Sequence, residues 1–165
     1  MPLVPNSLAS SLENDWLSKE GSDNFPDSVS VSADRFATAV SNWFAGALAA
    51  PSSPQTAAAR QSQLKGLAQV ALSAMDAQAA GTQLGNAVAA YVAGQVFGPS
   101  AVGLAAPPVA AAAGGAQIGA AFADLKAPPS ARAQKIASAC HLIATSSIVA
   151  FTLPLPVPPP PAKVT

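Results

Sequence analysis

Pro99-Ser-Ala-Val-Gly-Leu-Ala-Ala-Pro-Pro-Val-Ala-Ala-Ala-Ala-Gly114 decides how the rest of the chain is read. Pro107-Pro108 breaks any continuous helix, because proline has no N–H to donate and its ring collides with the preceding turn. Ala110 to Gly115 carries too little pattern to orient a helix face. Neither this stretch nor any other alternates apolar and polar residues as a half-buried strand does. It therefore reads as an irregular crossing between two helical groups. The fold class expected is all-α, a bundle of five or six helices in nearly antiparallel packing, with an extended polyproline C-terminal arm.

On the N-terminal side of the crossing, four helices are predicted. Pro5-Asn6-Ser7 opens the first, which runs to about Leu17 with Leu8, Leu12 and Trp16 four apart on one face. Ser18 to Ser30 is polar and acidic and reads as a loop. Ser32 then caps a helix carrying Phe36, Val40, Trp43, Phe44 and Leu48, stopped by Pro51. Ser53-Pro54 is a start signal for a third helix to about Ala80, with Leu64, Leu67, Ala71, Met75 and Ala79 on one side and Gly81 as its stop. Thr82 caps a fourth, to about Phe97, with Leu84, Val88, Tyr91 and Val92 inward and Gly98-Pro99 closing it. Beyond the crossing come a helix from about Gly115 to Lys126 and a last one from about Ala131 to Ala150. The last helix is expected to bury Ile136, Cys140, Ile143 and Ser147. Trp16, Phe36, Trp43, Phe44 and Tyr91 are the expected core or interface anchors, since large aromatics dominate packing energy.

The chain ends in Phe151-Thr-Leu-Pro-Leu-Pro-Val-Pro-Pro-Pro-Pro-Ala-Lys-Val-Thr165. Proline density predicts a polyproline segment that rises about 3.1 Å per residue. Phe151, Leu153, Pro154, Leu155, Pro156 and Val157 offer side chains for docking, and they are the expected interface residues. Three parts result: residues 1–31 a short helix with an acidic loop, 32–150 the alanine-rich bundle, and 151–165 the arm. Removing residues 151–165 is expected to leave helicity intact and abolish assembly.

Composition points the same way. Of the 165 residues only 10% are charged, against about 25% in an ordinary domain. Mean hydropathy is positive at +0.34. About a quarter of the chain is alanine, which buries little area per residue. Charge-poor surfaces of this kind usually face other subunits or a membrane. Glu13, Asp15, Glu20, Asp23, Asp27 and Asp34 crowd the start, against Lys19 alone, while Arg35, Arg60, Lys65, Lys126, Arg132, Lys135 and Lys163 follow. Such asymmetry is able to steer contacts between copies. No basic cluster is dense enough to point to nucleic acid.

Chemistry is harder to find. Cys140 is the single cysteine, so no disulfide framework or Cys/His zinc spacing exists within one chain, which fits a reducing compartment. Met1-Pro2-Leu3-Val4 lacks the basic start and apolar run of a secretory signal. His141 adjoins Cys140, but neighbouring helical residues diverge by about 100° and no acid completes a triad. Glu13 and Asp15 diverge likewise, and Asp23 and Asp27 lie in a loop without the oxygen ligands of a calcium site. Gly114-Gly115-Ala-Gln-Ile-Gly119 lacks the lysine and hydroxyl of a phosphate loop. No enzyme, cofactor, metal or small-molecule substrate is expected. Gly81/Gly85, Gly94/Gly98 and Gly115/Gly119 are small-xxx-small pairs in a stretch without charge, residues 77–123. Membrane insertion through that stretch is one alternative, opposed by its prolines and by Gln83, Asn86, Gln95 and Gln117. An adaptor whose proline tail recruits a recognition domain is another.

Taken together, the opening Pro5-Asn-Ser-Leu-Ala-Ser-Ser-Leu12, the aromatic helix of Phe36, Trp43 and Phe44, the Ala/Gln helix through Met75, the uncharged middle and the Pro-Val-Pro-Pro-Pro-Pro ending resemble the small alanine- and proline-rich virion structural proteins of tailed bacteriophages and related contractile particles. The resemblance implies a non-enzymatic subunit present in many copies at a neck, tail, baseplate or capsid surface. Its partners would be other copies of itself and other particle proteins, and it would be assembled in the host cytoplasm. No functional residue is carried over by position.

Overall fold

The structure, a computed structural model, describes residues 3–17, 26–49, 52–99, 102–152 and 160–165. It has six helices, α1 Pro5–Asp15, α2 Val29–Phe44, α3 Gln61–Leu72, α4 Ala77–Val92, α5 Ala111–Ala123 and α6 Pro129–Thr145. It also has five strands, β1 Ser53–Pro54, β2 Val96–Gly98, β3 Val102–Ala105, β4 Ile148–Thr152 and β5 Ala162–Lys163. The strands form one antiparallel curled sheet in the order β1-β2-β3-β4-β5, a half-barrel. The all-α expectation is therefore wrong. The irregular crossing holds β3, the end of the expected last helix and the first residues of the arm form β4, the arm closes as β5, and Ser53-Pro54 is a strand rather than a helix start.

Local signals explain most helix ends. Pro5 and Pro129 occupy first-turn positions, where a missing N–H is harmless. Ser28, not Ser32, caps α2 by accepting from the Val31 amide at 3.2 Å. Asp76 caps α4, accepting from Ala79 at 2.7 Å. That cap splits the long third helix predicted from Pro54 to Ala80 into α3 and α4, and it places Gly81 inside α4 rather than at a stop. Past the end of α4, Gly94 adopts a left-handed φ of 77°. The Arg60 guanidinium donates to the Ala93 and Ala90 carbonyls there, neutralising the negative end of the helix.

Phe97 of β2 meets Phe44 of α2 at 6.3 Å between ring centroids, and the helices pack on one another. Within them α4 and α5 make the closest contact in the molecule, antiparallel, with Gly81 against Gly119 and Gly85 against Gly115. A Cβ on Gly81 would sit 2.6 Å from the Ile118 carbonyl carbon and closer still to Gly119 backbone. One on Gly85 would sit 2.7 Å from the Gly115 nitrogen. Backbone meets backbone here, so dispersion contacts are dense although few large side chains take part. The small-xxx-small residues 81/85 and 115/119 thus join two short helices of one chain. Among the described residues, no helix is long and apolar enough to cross a membrane.

Candidate interaction surface

All five aromatic anchors lie inside. Trp16 meets Phe36 at 4.9 Å between ring centroids, and Phe44 meets Tyr91 at 5.6 Å and Phe97 at 6.3 Å. Their polar atoms are satisfied: Trp16 Nε1 donates to Ser32 Oγ at 2.7 Å, Trp43 Nε1 to the Val4 carbonyl at 3.1 Å, and Tyr91 Oη to the Ala57 carbonyl at 3.0 Å. These rings pack in the core of the fold. Phe151 is also buried, on the inner face of β4 against Gly103. Leu153, Pro154, Leu155, Pro156 and Val157, the remaining expected contact residues, lie outside the described residues.

Cys140 and His141 occupy different surroundings. Burial in the apolar core pushes the Cys140 thiol from 9.0 up to about 12. The His141 ring stands edge-on to Trp43 at 6.4 Å, and burial lowers its pKa. Tyr91 is raised from 10.0, first by burial, against the lowering effect of Ser41 and Gln95. Both raised groups are neutral in the fold, so the unfolded chain ionises first. Stability from them is complete below pH 9 and is lost as pH rises toward the folded values. Urea titrations between pH 8 and 11 should show a falling midpoint, with a shallower fall in Cys140→Ala. An equally steep fall in that variant would place the thiol outside the core.

Between α1 and α2 runs an open groove of about 850 Å³, its walls bearing Ser7, Ser11, Thr38 and Asn42. Arg35 Nη1 closes one end by donating to the Asp15 carbonyl at 3.1 Å. The Asp34 carboxylate in its wall is taken by Lys65 at 2.9 Å. The groove offers hydroxyls and amides without a convergent set of ionisable groups. No cluster of three metal-ligating side chains occurs among the described residues.

The sheet's outer face leaves apolar side chains in water. Along β3 and β4, burial alternates residue by residue. Ala105, Val149 and Phe151 point inward, while Val102 is 46% exposed, Leu104 55% and Ile148 46%. The register sets Leu104 beside Ala150 on one side and Val96 on the other, and Val102 beside Thr152. The outward residues thus form one continuous apolar band across three strands. A second apolar group caps the end of the α4/α5 pair. The glycine register brings Met75, fully exposed, and Leu125, 80% exposed, to that same end.

One sheet edge carries a proline within its strand, and prolines flank the strand at the other. Pro54 sits in β1, and Pro160 and Pro161 precede β5, where the ladder stops at Ala162. Proline cannot donate to an incoming strand, which disfavours pairing at the β1 edge.

The last residues are held on the chain's own body. Val164 is fully buried, and its amide donates to the Ser147 carbonyl at 3.3 Å. Thr165 and Leu48 exchange two backbone bonds of 2.8 Å each. Sequence reasoning missed Val102, Leu104 and Ile148 as surface residues and Val164 as an anchor. Two short, nearly continuous apolar runs, 102–106 and 148–151, were the available signal. Comparison of the chain with protein-family models, with curated proteins and with solved structures finds no match.

Proposed function

We propose that this chain is a non-enzymatic structural subunit that works by assembling in several copies, in the manner of the small alanine- and proline-rich proteins of phage-like particles. The apolar outer face of the sheet carries the reading. Val102, Leu104 and Ile148 stand in water on the outer face of the sheet, and its β1 edge carries Pro54. Their burial against another protein is favourable, and nothing about the fold requires them to be apolar otherwise. The backbone-close α4/α5 pair and the buried aromatic cluster supply the stiff body that a repeated subunit needs, so little conformational entropy is lost on assembly.

Leu104 and Ile148 are each about half exposed. Completing their burial contributes on the order of 1 kcal/mol apiece, or roughly fivefold in affinity for each at every interface. The double variant Leu104→Asp, Ile148→Asp is expected to sediment as a single copy while keeping its melting temperature, because both side chains point away from the core. An unaltered sedimentation profile in a well-folded double variant would remove the sheet face from the interface.

A further inference from the structure

We infer that His141 is the trigger of an acid-sensitive latch: when its imidazole takes up a proton, residues 162–165 let go of the body while the helices stay folded. This device goes beyond the assembly reading and does not depend on it. His141 lies in the last turns of α6, its ring edge-on to Trp43 at 6.4 Å between centroids. Its Nδ1 is buried and has no hydrogen-bond partner. The ring lines an open pocket of about 470 Å³ together with Leu3, Thr145, Lys163, Val164 and Thr165. Three of those residues belong to the latch itself, so the segment that keeps water from the imidazole is the one that would have to move. A neutral ring suits these surroundings. An imidazolium would hold its charge where Nδ1 has nothing to donate to.

Among the described residues no acid lines this pocket to offset the charge. β5 presents Lys163, which is itself positive, α2 presents Trp43, and the chain before α1 presents Leu3. Asp34 and Arg35 stand about two turns or more from Trp43 on α2, and Glu13 and Asp15 lie at the far end of α1 from Leu3. On α6, Cys140 is neutral and Lys135 is more than a turn away. Both hydroxyls are already engaged, Thr145 Oγ1 donating to the His141 carbonyl at 2.8 Å and Thr165 Oγ1 to the Leu48 carbonyl at 3.1 Å. Opening the latch is the smallest movement that hydrates Nδ1. It breaks the Ala162–Val149 and Lys163–Ile148 pairs, the Val164–Ser147 bond and the exchange with Leu48, and it leaves α6 and the β3–β4 ladder whole. Burial lowers the His141 pKa from 6.5, which agrees with a site that disfavours the imidazolium. With the folded value below that of the released state, the latch is fully held above pH 6.5 and loosens as pH falls below it.

Amide exchange on the full chain at pH 7.5 and pH 5.5 tests the latch, with each rate divided into that of a free peptide so that the pH dependence of exchange chemistry cancels. The Leu48, Val164 and Thr165 amides, all bonded across the latch, should lose protection several-fold at the lower pH. The loss should not exceed roughly tenfold, the ceiling for one proton over one pH unit below the ordinary value. Protection at Phe36 and Val40 in α2 should hold. His141→Phe keeps a ring against Trp43 and should abolish the loss, while Lys163→Glu sets a carboxylate beside the imidazole and should diminish it. Equal protection at the two pH values in the unmodified chain would overturn the inference. So would the same loss in His141→Phe, or a parallel loss at Phe36 and Val40, which is acid unfolding of the whole body. Should His141→Phe fail to fold, Lys163→Glu decides, and an undiminished loss there counts against His141.

Discussion

Gly85→Ala is expected to lower stability by about 3 kcal/mol, the upper range for overpacking a well-filled interior. Ordinarily glycine-to-alanine inside a helix is favourable by roughly 0.5–1 kcal/mol, since alanine loses less backbone entropy on folding. At position 85 that gain is outweighed. The added methyl would meet the Gly115 backbone, which cannot rotate aside as a side chain can, so α4 and α5 must separate along their length. Separation opens the seam at Gly81/Gly119 as well, and Gly81→Ala with Gly85→Ala together should not fold. Gly66 supplies the control, because a Cβ there meets nothing within 4 Å. Gly66→Ala on α3 should raise the urea midpoint while Gly85→Ala lowers it. Equal, small changes in the two variants would mean that the α4/α5 approach is looser than described.

Val164→Asp is the second large effect, expected to cost about 3 kcal/mol from lost apolar burial and the released backbone bonds of its strand. A carboxylate in that socket meets no designed partner, so residues 162–165 detach. Detachment uncovers Val149 and Leu48, and amide exchange at Ile148 and Leu48 should accelerate with it. Thr165→Ser, which keeps the backbone pair and the hydroxyl, should be near neutral. Protection of Ile148 and Leu48 unchanged in Val164→Asp would show that the strand does not contribute. Removing residues 151–165 is consequently harsher than the sequence suggests. It takes Phe151 and Val164 out of the core along with the arm, so reduced stability accompanies any loss of assembly.

Helices announced themselves where an apolar stripe recurred at helical spacing. Leu8 and Leu12 on α1 with Trp16 just past its end, and Phe36, Val40, Trp43 and Phe44 on α2, are examples, and all are buried. Strands stayed hidden for one physical reason. Alternation is detected as apolar against polar, but Val102, Leu104, Ile148 and Ala150 put apolar residues on the outward positions too. Val-Gly-Leu-Ala and Ile-Val-Ala-Phe-Thr therefore look like helix packing material or breaks. The feature that concealed the sheet is the same one that makes its outer face a contact surface. Position 54 misled for a related reason, since serine-proline opens helices and edge strands alike. Pairing between Ser53 and Gly98 is long-range and leaves no local trace. Val164 was illegible because its burial depends on Leu48 and Ser147, distant in sequence and adjacent only once the sheet has formed.

Sedimentation velocity on the unmodified chain, over a hundredfold range of concentration, weighs the central claim most directly. A charge-poor body with an apolar sheet face outward should move as a multi-copy species whose weight-average coefficient climbs with concentration. A folded protein of 16.2 kDa that sediments as one copy at every concentration would contradict it.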